Sequence, residues 1–100
     1  MVIKIKVLRV NPIRGLLFRR KTKTPVLLKI ACGQSGINTW GILYFIDVVW
    51  LGENFRVLHI KRDLRPFSYY NPQIKAKYVL EFPAGMACVG IGEKMDVEVC

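Results

Sequence analysis

The first 46 residues contain no carboxylate: nine Lys and Arg precede Asp47, the first acid in the chain. This stretch carries the whole imbalance between sixteen basic and seven acidic residues, a formal charge of +9. Histidine is equally scarce, with His59 the single example. The three cysteines, Cys32, Cys88 and Cys100, form no CxxC pair. A structural zinc site needs about four clustered nitrogen or sulfur ligands, so no metal site is expected. No cofactor signature is present either. Gly90-Ile91-Gly92 is too short for a dinucleotide fingerprint, which needs a longer glycine pattern between a strand and a helix.

Long apolar runs are missing too. The longest, Trp40 to Leu51, is too short to span a bilayer as a helix and holds Asp47 within it. The opening segment breaks its apolar residues with Lys4 and Lys6, so it lacks the apolar core of a signal peptide. Three scattered thiols suit a reducing compartment, where cysteine behaves as a small hydrophobe. The expectation is a soluble cytoplasmic protein with no transmembrane segment.

What is present is core material. With 52% hydrophobic residues in 100, a single domain over residues 1–100 can bury one core without staples. That content also argues against disorder despite the charge. Ile3, Ile5 and Val7 alternate with Lys4 and Lys6, the period of a half-buried strand, and Asn11-Pro12 ends it. Val26 to Ile30 is a second strand. Ile42 to Leu51, rich in β-branched and aromatic residues, reads as a central strand covered on both faces. Gly52-Glu53-Asn54 then connects it to a hairpin partner from Phe55 to Arg62. Pro66 to Pro72 reads as extended loop. Ala76 to Phe82 alternates, with Tyr78, Leu80 and Phe82 inward and Lys77 and Glu81 outward. Pro83 to Gly90 has proline at its start and glycine at its end, as one or two helical turns would. Met95 to Val99 closes the chain as a strand. The fold class is therefore all-β, or β-rich with one short helix: a small barrel or sandwich of about six to eight short strands.

Four blocks of sequence, in order, resemble the domain-of-unknown-function-192 family of small bacterial and archaeal β-rich proteins. Arg14-Gly-Leu-Leu-Phe-Arg19 is similar to its G-L-M-F-R segment. Asn38-Thr-Trp-Gly41 with Ile46-Asp-Val-Val-Trp-Leu51 resembles H-T-F-G-M-x-F-P-I-D-V-x-F-L. Arg56 to Ile60 matches the partner strand, and Ala76 to Gly85 resembles A-x-x-V-L-E-L-P-A-G. The chain departs from the pattern where Asn38 replaces His, Ile42 replaces Met, Phe45 replaces Pro, and Lys94-Met95 replaces a Gly-Asp pair. The resemblance implies a fold and no particular reaction.

The residues with chemistry to offer are few. Asp47 shares a strand face with Phe45, Val49 and Leu51. A carboxylate among apolar neighbours needs a cation or several donors. Arg19 is the expected partner, through a charge-assisted contact that ties 14–19 onto the central strand. Glu81 offers a second carboxylate, and two carboxylates facing one cleft would permit glycoside hydrolysis or cation binding. Glu81 reads instead as half of a solvent-side ion pair with Lys77. His59 has no Ser, Cys or Asp at motif spacing and reads as structural.

Function by sequence is therefore a non-enzymatic module binding a small anionic ligand or an acidic protein through the basic N-terminal half. Its candidate ligand-binding residues are Arg19, Arg20, Lys21, Lys23, Trp40, Asp47 and Glu81, with none assigned to catalysis or metal. The alternatives are a hydrolase pairing Asp47 with Glu81 or His59, and a nucleic-acid binder using Arg19 to Lys23 with the Tyr69-Tyr70 loop.

Overall fold

A computed structural model describes the backbone of residues 2–9, 26–29, 35–40 and 42–99, and the side chains of 35–40 and 42–96. Eight strands follow in chain order: β1 Val2–Arg9, β2 Val26–Lys29, β3 Ile37–Asn38, β4 Ile46–Leu51, β5 Val57–Leu64, β6 Tyr69–Tyr70, β7 Tyr78–Pro83 and β8 Lys94–Val99. Among the described residues there is no helix. Six strands make one mixed sheet in the order β5-β4-β7-β2-β1-β8, and β3 pairs with β6 as a separate ribbon. β1 runs parallel to both β2 and β8, while β4 is antiparallel to β5 and β7.

The ends of the six-stranded order meet. Arg56, just before β5, bridges Lys94 at the start of β8. Met95 N–H donates to Phe55 O at 2.9 Å, Val57 N–H to Glu93 O at 2.8 Å, and Gly92 N–H to Val57 O at 2.8 Å. The sheet thus curls into a partly closed barrel, which shelters edges that an open sheet would expose.

Strand alternation divides the core into two layers. Val49, Leu51, Val57, Leu80, Phe82, Ala87, Val89 and Met95 fill the barrel interior. Ile46, Val48, Trp50, Leu64 and Val79 point the other way, beneath Ile37, Ile42 and the half-buried Tyr44, Tyr70, Ile74 and Ala76. β4 is buried along its whole length for this reason: barrel interior below, ribbon above. The expected two-sided central strand is present, but it begins at Ile46. Residues 42–45 instead leave a turn closed by Ile42 N–H to Thr39 O at 3.0 Å.

Two further expectations are corrected. Pro83 to Gly90 forms no helical turns. Ala84 N–H donates to Phe45 O, and the carbonyls of Ala87 and Val89 accept from the Arg62 guanidinium at 2.7 and 3.1 Å. Backbone groups bonded sideways to the sheet are not available for i to i−4 bonding. Tyr69-Tyr70 is likewise not simple loop but the strand β6, with Tyr70 packed against Trp50 at 5.7 Å between ring centroids.

Leu80 lies fully buried in the interior layer, whereas Ile91 is exposed. Leu80→Ala should lower the unfolding free energy by about 2–5 kcal/mol. Ile91→Ala should change it by less than about 0.5 kcal/mol. Urea titration followed by Trp fluorescence measures both.

Candidate functional site

β5 carries one residue more than β4 where the two pass Asp47. Ile46 pairs with Leu64 and Val48 with Lys61, so Arg62 and Asp63 together face Asp47. This β-bulge puts Asp63 at φ 53°, a left-handed conformation that Asp tolerates better than most residues. It also turns the Asp63 N–H toward the sheet face on which Asp47 lies.

The Asp47 carboxylate is 1% exposed as a residue and gathers the donors around it. Oδ1 accepts from Asp63 N–H at 3.0 Å. Oδ2 accepts from Gly85 N–H at 3.0 Å and Ala87 N–H at 3.5 Å, and Arg62 Nη1 stands 3.6 Å away. Gly85, at φ 84°, provides a turn conformation that L side chains rarely adopt. The same Arg62 that faces Asp47 also holds the carbonyls of Ala87 and Val89. A charge that sequence alone assigns to a partner such as Arg19 is thus met, among the described residues, by Arg62 and three backbone donors. Arg19, Arg20, Lys21 and Lys23 lie outside the described residues.

Glu81 is corrected outright. It is 2% exposed, not on the solvent side, and Lys77 stands 3.8 Å from Glu53 instead. The reason is that both faces of β7 are packed: Val79, on the same face as Glu81, belongs to the layer that holds Ile37 and Ile42. Register then separates the two carboxylates. Val48 pairs with Glu81 and Asp47 with Phe82, so Asp47 and Glu81 project from opposite faces of the sheet. His59 pairs with Trp50 and so lies on the face opposite Asp47. Its Nε2 is 2.7 Å from Tyr70 Oη, its ring stacks on Tyr70 at 17°, and Trp50 meets it edge-on at 5.4 Å. Glu81 shares that face with His59 but stands two strands away, about 10 Å or more. Neither proposed acid–base pair shares a cleft.

The remaining candidate, Trp40, is 63% exposed and touches Phe67 edge-on at 5.5 Å. Beneath it lies a residue that sequence reasoning passes over. Thr39 is fully buried, and its Oγ1 accepts from Ser68 N–H at 2.7 Å and donates to Arg65 O at 2.8 Å. The signal was its place inside the Asn38-Thr39-Trp40-Gly41 block. Cys88 is a free, exposed thiol. Among the described residues no group of three or more His, Cys, Asp and Glu side chains is placed to hold a metal ion, and no helix is long and apolar enough to cross a membrane.

Asp47→Ala should cost about 3–5 kcal/mol, because buried N–H groups and a guanidinium lose their acceptor together. Asp47→Asn should be milder, since one side-chain oxygen remains to accept. Arg62→Ala should cost only about 1–2 kcal/mol, its side chain being half in solvent. Chemical denaturation orders the three; an unchanged midpoint for Asp47→Ala would remove the carboxylate from its structural role.

Comparison with known proteins finds similar chains and similar folds of uncharacterised function. A UPF0127 protein of Pyrococcus horikoshii is 36% identical over 53 residues, spanning 53% of this chain and 45% of the relative. A UPF0127 protein of Thermococcus sibiricus is 35% identical over 69 residues, spanning 66% and 44%. The chain therefore matches less than half the length of these relatives. A protein of unknown function from Novosphingobium aromaticivorans shares the fold, with a TM-score of 0.73 at 17% identity over 89% of this chain and 70% of the other. A Sinorhizobium meliloti protein solved as a candidate transcription regulator gives a TM-score of 0.68 at 19% identity over 80% and 69%. These two likenesses concern fold alone. The model of the DUF192 family, described as Uncharacterized ACR, matches residues 7–99, and the chain belongs to that family.

Proposed function

We propose that the chain is a non-catalytic binding module for an anionic partner. The observation that carries this reading is a separation of roles. Asp47 is enclosed by donors that hold the 84–90 segment, and His59 is stacked on Tyr70 with Trp50 edge-on to it. Several large apolar and aromatic side chains also stand in solvent, among them Trp40, Leu43, Phe45, Phe67 and Tyr69. Exposed rings of this kind mark contact surfaces more often than catalytic ones.

The charge supports an anionic partner. The acid-free first 46 residues place a one-signed field on the chain, and such a field raises the encounter rate with polyanions. The basic run Arg19-Arg20-Lys21-Thr22-Lys23 is its densest part. The free thiol of Cys88 fits a reducing cytoplasm as the working compartment.

Thermal unfolding with inorganic polyphosphate, a mixed-sequence oligonucleotide and poly-glutamate tests the reading. Ligand at about 100 times its Kd stabilises a fold by about 2.7 kcal/mol. At least one polyanion should raise the Tm by several degrees, and the rise should shrink steeply between about 50 and 200 mM salt. No shift with any of the three would reject the proposal.

A further inference from the structure

The β3–β6 ribbon has an inner and an outer face, and the outer one is aromatic. Ile37 pairs with Tyr70 and Asn38 with Tyr69. The pairing continues past the strands, since Thr39 N–H donates to Ser68 O at 2.8 Å and Phe67 N–H to Thr39 O at 3.2 Å. Alternation then turns Ile37, Thr39 and Tyr70 inward, onto Trp50 and its neighbours. Asn38, Trp40, Phe67 and Tyr69 turn outward. Tyr69 is 65% exposed and Phe67 51%.

This outer face is held in place. The Tyr69 ring lies over Gly36 so closely that a Cβ there would come within 2.8 Å of its Cζ, and Asn71 Nδ2 donates to its hydroxyl at 3.3 Å. Trp40 N–H is tied to Asn38 Oδ1 at 2.8 Å, and the Trp40 ring abuts Phe67. Beneath them the buried Thr39 hydroxyl joins both arms of the ribbon. Rings fixed before binding lose little freedom when a ligand arrives. The charge around them has one sign: residues 35–46 and 65–76 contain no Asp or Glu, and they include Arg65 and Lys75.

We infer that the outer face of the β3–β6 ribbon is a stacking platform for single-stranded nucleic acid, with bases on Tyr69, Phe67 and Trp40 and phosphates met by Arg65 and Lys75. The inference rests on the proposed anionic partner and names its class. An acidic protein would satisfy the charge equally. The ribbon's outward side chains favour bases, however: Trp40, Phe67 and Tyr69 present flat rings beside the Asn38 amide, the surfaces on which bases stack. Every base has a π face, so such a row tolerates sequence and reads single strands, whereas a duplex hides those faces.

Fluorescence anisotropy with a labelled 12-nucleotide mixed-sequence single strand, its duplex and labelled poly-glutamate, across salt, tests this on the full chain. The single strand should bind better than the duplex. Stacking should quench the exposed Trp40, and Trp40→Phe should abolish that quench while Trp50 fluorescence persists. Tyr69→Ala and Phe67→Ala should each weaken binding roughly 5- to 150-fold. Ile91→Ala, exposed elsewhere, should leave it unchanged; circular dichroism confirms that each variant is folded. Equal affinity of the single strand for wild type and a Trp40→Ala/Phe67→Ala/Tyr69→Ala variant overturns the platform but leaves anion binding standing. Poly-glutamate binding without any oligonucleotide binding overturns the nucleic-acid class and keeps the broader reading. Failure of all three probes overturns both.

Discussion

The position of Asp47 decides much of how this small barrel is put together. A carboxylate on the interior face of a central strand is unfavourable unless donors surround it, and here the donors come from two other pieces of chain. Asp63 N–H and the Arg62 guanidinium come from the bulge in β5, and Gly85 N–H and Ala87 N–H from the segment after β7. Arg62 in turn holds carbonyls of that same segment. One buried charge thus fixes the bulge, the left-handed turn at Gly85 and the path of 84–90 along the sheet.

Other features follow from that anchoring. With 84–90 laid against the sheet, Ala87 and Val89 enter the interior layer beside Val49, Leu80 and Phe82. The chain then reaches Gly92 and Glu93, whose backbone groups meet Val57 and join the two ends of the sheet. On the opposite face the same β4 strand presents Trp50, whose indole N–H donates to Ser35 O at 2.8 Å. The ribbon that carries the exposed rings is seated through Tyr70 on that residue and on His59. The aromatic platform and the acid anchor therefore stand back to back across one strand. The role of Asp47 in folding and the proposed role of the ribbon in binding need not compete.

Much of the strand pattern was legible because it depends on period-2 alternation and on turn residues, which are local. β4 was recognisable from its β-branched and aromatic run, and Asp47 was recognisable as a charge in need of donors. Glu81 was misread for a physical reason. Alternation says which residues share a face, but not whether the other face meets water. On β7 it does not, because a layer of core side chains packs on each face of the strand. The same limit hid Thr39, whose hydroxyl has a role only because Arg65 and Ser68 arrive from 26 and 29 residues away.

Composition and periodicity by themselves determined the β-rich class, the supply of core side chains, the cationic bias and the need of Asp47 for donors. These are properties of neighbouring residues and of totals, and no folding is required to count them. Tertiary structure alone decided which donors answer Asp47, which faces are sealed, and which aromatic rings remain in water. Register across β4, β5 and β7 puts Asp47 on the face opposite Glu81 and His59, and the seating of the ribbon on Trp50 turns Tyr70 inward while Tyr69 stays out. Such outcomes depend on pairing between segments far apart in the chain, where a shift of one residue would reverse every side chain.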